Sequence, residues 1–119
     1  MNPILMLSSL ALLAAGTALA QEADLQKADA ELNASYRQIR ERLKGDAAKT
    51  DLLAKAERAW VAFRDAECAF AASGVEGGSV QPTVLAGCRA DLTQKRVEEL
   101  KEYLACEEGD LSCPVPSGN

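Results

Sequence analysis

Leu25, Ala28, Leu32, Tyr36, Ile39 and Leu43 recur at steps of three and four, which places them on one face of a helix running from about Glu22 to Lys44. That spacing constrains the fold most, because it returns twice. Leu53, Ala56, Trp60, Phe63 and Phe70 repeat it in a second helix from about Ala48 to Ala72, with Glu67 interrupting the row. Leu85, Cys88, Leu92, Arg96, Leu100 and Tyr103 or Leu104 give a third, more mixed face from about Thr83 to Ala105. Gly45, preceded by Lys44, stops the first helix. Thr50 and Asp51 offer an alternative start for the second. Between the second and third lies GVEGGSVQP, Gly74 to Pro82, whose glycines, serine and proline define a loop. Pro82 suits the first turn of the next helix, where its missing N–H costs nothing. The expected fold is therefore all-α, a three-helix bundle or a helical hairpin with a third helix packed on it, stapled by disulfides.

The first twenty residues, MNPILMLSSLALLAAGTALA, carry no charged side chain. The apolar run from Ile4 to Ala15 is followed by small residues at Ala18 and Ala20, the pattern of a signal peptide cleaved after Ala20. The run is short for a membrane span of about 20 residues, and no cysteine at the cleavage point offers a lipid anchor. The expected organisation is a signal peptide at 1–20, a helical domain at 21–106 and a tail at 107–119. A periplasmic or secreted location is expected, with no stable membrane insertion after cleavage.

Export sets the reading of the four cysteines, since disulfides persist in oxidising compartments and small domains lean on them. Four cysteines allow three pairings. The local scheme, Cys68–Cys88 with Cys106–Cys113, is the simplest, and the helical reading supports it. In an antiparallel hairpin Cys68 lies just before helix two ends and Cys88 just after helix three begins, a height mismatch of only a few ångström at about 1.5 Å per residue. With no histidine and no C-x-x-C, a metal site is not expected. Beyond Cys113 the prolines, glycine and serine point to disorder.

The net charge of −5 argues against nucleic acid and anionic lipid and favours a cationic partner. Catalysis has little to work with. The lack of histidine excludes Ser-His-Asp and Cys-His systems. Glu57, Asp65 and Glu67 are acids without an expected cleft between them. No glycine motif follows a strand to hold a phosphate. No catalytic residue and no cofactor are assigned. Trp60, Phe63 and Phe70 are expected in the core, since a chain so poor in aromatics places three on one helix. Arg64 and Asp65 point about 100° apart on a helix, so they are expected to miss each other and reach partners such as Asp29 and Arg96.

The ordered set D-A-E-L-N-A-S-Y (Asp29 to Tyr36), W-V-A-F-R-D-A-E-C (Trp60 to Cys68), G-G-S (Gly77 to Ser79) and C-R-A-D-L-T-Q-K-R-V-E-E-L (Cys88 to Leu100) resembles the small exported domain of LprI-type proteins, a family described as lysozyme inhibitors. The resemblance implies an all-helical envelope domain with Cys68 paired to Cys88. It also implies inhibition of a lysozyme by protein–protein binding, without catalysis. An acidic chain would be steered toward a cationic lysozyme at rates that fall with salt. The exposed loop Gly74 to Gln81, with Glu76, Gly77, Gly78 and Ser79, is the candidate partner-binding element. The alternative is a structural or chaperone-like envelope helper with another protein partner.

Overall fold

A computed structural model describes residues 3–118, with side chains from residue 18 onward. Helix α1 spans Pro3–Arg42, α2 Ala47–Ala71 and α3 Gln81–Leu104, with a 3-10 turn at Ser73–Val75 between α2 and α3. The architecture is all-α, as the three apolar periodicities require. One difference lies at the front: α1 starts at Pro3 rather than near Glu22. Leucine and alanine are strong helix formers, and the lone Gly16 is too weak a break to stop the helix. The side chains of the apolar run from Ile4 to Ala15 lie outside the described residues. No helix among the described residues is long and apolar enough to cross a membrane.

Gly45 ends α1's last turn with φ +93°, a left-handed conformation that glycine adopts without strain. Asp46 then caps α2, its carboxylate accepting from the Lys49 N–H at 3.0 Å. Thr50, an alternative start in the sequence, instead donates its hydroxyl to the Asp46 carbonyl at 2.9 Å inside the first turn.

Arg42 Nη1 donates to the Leu104 carbonyl, while Gln21 lies against Gly87. The two ends of α1 and α3 thus meet in the same order, so these helices run parallel and α2 runs back between them in sequence. A Cβ on Gly87 would come within 3.0 Å of Gln21 Oε1, and this closeness matches the small residues along the contact. Ala28, Leu32, Ser35 and Ile39 of α1 and Leu43 just past its end are buried, as are Ala86, Ala90, Thr93, Val97 and Leu100 of α3. The buried row of α3 therefore sits one step round the helix from the expected Leu85, Leu92, Arg96 face. Arg96 is turned toward Glu57 of α2, which leaves Val97 to take the core position beside Leu32 and Ile39.

The tail corrects a second expectation. Beyond Cys113 it is ordered rather than disordered, and Val115 joins Leu32, Ile39, Leu43, Val97 and Leu100 in the core. The Cys106–Cys113 disulfide turns the chain back, helped by Asp110, which accepts from the Ser112 N–H at 2.9 Å. Asp110 is held below the usual carboxylate range by the Ser112 hydroxyl and then by that N–H. Pro114 and Pro116 restrict the backbone on either side of Val115.

Candidate functional site

Cys68 and Cys88 are bonded, with Cα atoms 5.6 Å apart, and Cys68 is fully buried. This bond fixes the rotation of α2, because Cys68 must face α3. Leu53, Glu57, Trp60 and Arg64 lie within about 80° of Cys68 around the helix and turn inward with it. Phe63 and Phe70 lie about 140° and 160° away. They are accordingly exposed, at 55% and 76%, which overturns their assignment to the core. Trp60 is half-buried against the core cluster.

The inward face of α2 is instead a polar clasp. Arg64 is its hub: the guanidinium lies 5.3 Å from the Trp60 ring centre, a cation–π contact one turn away. Its Nη1 donates to Thr93 Oγ1 of α3 at 3.3 Å and reaches Asp29 Oδ1 of α1 at 3.5 Å. Its Nε donates to Asp65 Oδ1 at 3.0 Å. Arg64 and Asp65 thus do pair, against the expectation from their 100° offset. The long arginine side chain folds back along the helix, and Asp65 Oδ1 is shared with Arg89 Nε at 3.5 Å. A second pair lies one contact further along. Arg96 of α3 meets Glu57 at 3.4 Å, with side chains only 12% and 15% exposed, and also binds Glu99 at 2.9 Å. Arg96 therefore answers Glu57 rather than Arg64 or Asp65.

These contacts give three of the four elements of the sequence pattern a partner in another, while G-G-S is tied only within its own loop. Arg64 of W-x-x-F-R-D-x-x-C touches Asp29 of the first element and Thr93 of C-x-x-x-L-T-x-x-R, while the two cysteines bond. The pattern is thus a record of how three helices are joined. Sequence reasoning weighed Glu57 only as a candidate acid and gave no packing role to Glu57, Thr93 or Arg89. Thr93 stood out only as a polar residue at a position whose helical neighbours, Ala86, Ala90 and Val97, are apolar.

Above the disulfide, the loop is exposed at Glu76, Gly77, Gly78 and Ser79, yet it is internally tied. The Gly77 N–H donates to Gln81 Oε1 at 3.0 Å, Gly78 N–H to the Val75 carbonyl at 3.0 Å, and Gln81 N–H to the Gly78 carbonyl at 3.2 Å. Gly77 takes φ +77°, which an L side chain would strain. The result is a short, stiff projection on a covalent base.

The family model described as lysozyme inhibitor LprI matches residues 14–100. An uncharacterized protein of Rhizobium meliloti (strain 1021) is 41% identical over 96 residues, covering 71% of this chain and 69% of the relative. No solved structure matches. The matched span contains the whole clasp, the Cys68–Cys88 bond and the loop, and the chain belongs to the LprI lysozyme inhibitor family.

Proposed function

We propose that this chain is an exported, non-catalytic inhibitor that binds a lysozyme through the Gly74–Gln81 loop. The family carries this reading, and the loop's geometry supports it: an exposed projection already fixed by hydrogen bonds loses little freedom on binding. Glu76 at its tip and the net charge of −5 suit a cationic surface. The Cys68–Cys88 bond holds the projection's base, and the clasp fixes α2 and α3 beneath it. Cleavage after Ala20 would release the domain into the periplasm or medium.

The test is saturation binding of the oxidised protein to a cationic lysozyme, with lysis followed in parallel at low and moderate salt. Binding with loss of lysis, weakened by Glu76→Lys, supports the proposal. Binding that vanishes at about 0.15 M salt without inhibition reduces it to charge attraction. No binding to several lysozyme classes leaves the envelope-helper reading in its place.

A further inference from the structure

The outward face of α2 carries a row that the clasp leaves uncovered. Leu52, Ala56, Ala59, Phe63, Ala66 and Phe70 follow one another at alternating steps of four and three, the spacing of a coiled-coil seam. All six are exposed, Leu52 at 65%. The row spans about 27 Å of helix. At its Leu52 end opens an apolar pocket of about 190 Å³, lined by Leu52, Leu53 and Ala56 with Ile39, Tyr103 and Val115. At its other end stands Phe70, an aromatic ring largely in solvent.

We propose that this row is the contact surface of a symmetric antiparallel dimer, in which Phe70 of each copy fills the pocket beside Leu52 of the other. Knob and hole lie at equal distances in sequence from Val61, so a two-fold axis at the height of Val61, on the opposite side of the helix between Ala59 and Phe63, brings both pairs together at once. The same operation sets Phe63 against the partner's Ala59 and Ala56 against the partner's Ala66, so that large side chains meet small ones. A parallel pairing stacks Phe63 on Phe63 and leaves both pockets open. The exposed parts of Leu52, Phe63 and Phe70 come to roughly 390 Å² per copy, taking about 200 Å² for a whole large apolar side chain. The alanines between them and the pocket mouth add to this, which places the contact at the small end of specific interfaces, below the about 800 Å² per partner of a standard one. The Gly74–Gln81 loops project at opposite ends of such a dimer, so the proposal does not depend on what they bind.

The test is sedimentation of the oxidised full chain across a concentration series, with Phe63→Glu and Phe70→Glu alongside and helicity checked by circular dichroism. The expected result is a dimer that each variant weakens by roughly 30-fold or more while keeping its helicity. A mixture of Leu52→Cys and Phe70→Cys chains, treated with a short bismaleimide, is expected to cross-link between the two variants and not within either. A wild-type monomer at every concentration overturns the proposal, as does a dimer indifferent to both glutamates. Cross-links confined to like variants overturn the antiparallel arrangement. A monomer in which Phe63→Glu abolishes lysozyme binding assigns the row to that partner instead.

Discussion

The two faces of α2 invert the usual distribution of side chains. Toward α1 and α3 it presents Glu57, Arg64 and a disulfide beside the partly buried Leu53 and Trp60, and toward solvent it presents Leu52, Phe63 and Phe70. The contact between α1 and α3 is the opposite kind, an apolar seam of Leu32, Ile39, Leu43, Val97 and Leu100. Burial thus holds α1 to α3, while α2, with only Leu53 and Trp60 against that seam, is held chiefly by charge geometry to both and by a covalent bond to α3. A helix fixed by its polar face is free to keep its apolar face for another purpose.

This contrast predicts a ranked set of losses in urea unfolding at a concentration where the chain is monomeric. Leu100→Ala opens a hole in the apolar seam and should cost about 3–4 kcal/mol. Replacing both Cys68 and Cys88 by serine removes a staple across a sequence separation of 20 and should cost about 3 kcal/mol, against about 2 kcal/mol for the pair Cys106 and Cys113, separated by 7. Arg64→Ala should cost about 2 kcal/mol, less than a wholly buried pair because Asp29 and Asp65 remain half in water. Arg64→Lys should not restore it, since a single ammonium cannot serve Asp65, Asp29 and Thr93 together. A smaller effect belongs to the tail. Asp110 has its pKa lowered in the fold, so its contribution is present above the ordinary 3.8 and lost as pH falls through the lowered value. Hydrogen exchange around Cys106–Cys113 should therefore quicken in strong acid before the α1–α3 seam opens.

The helices and both disulfides were legible in the sequence because periodicity and loop spacing are local signals. The rotation of α2 was not, although the means to find it were present. Cys68 bonded to Cys88 and Phe63 and Phe70 in the core are incompatible demands on one helix, since those rings lie across the helix axis from the sulfur. The disulfide wins because it is covalent. The clasp was half legible: Asp29 was a foreseeable partner for Arg64, while the Arg64–Asp65 pair depends on how a long side chain bends back, which sequence offset does not report. The tail was misread because its composition suggests disorder, whereas Val115 needed only the turn imposed by Cys106–Cys113 to reach the core. The loop's stiffness rests on Gln81 reaching back to Gly77, a contact that spacing permits without requiring.

The most direct test of the account compares Arg64→Ala with Phe63→Ala by urea unfolding of the oxidised protein, both measured on the monomer. The account predicts a loss of about 2 kcal/mol for the first and within about 0.5 kcal/mol of wild type for the second. The reverse order would mean that α2 is held by its aromatic row after all, and that the clasp is only a surface ornament.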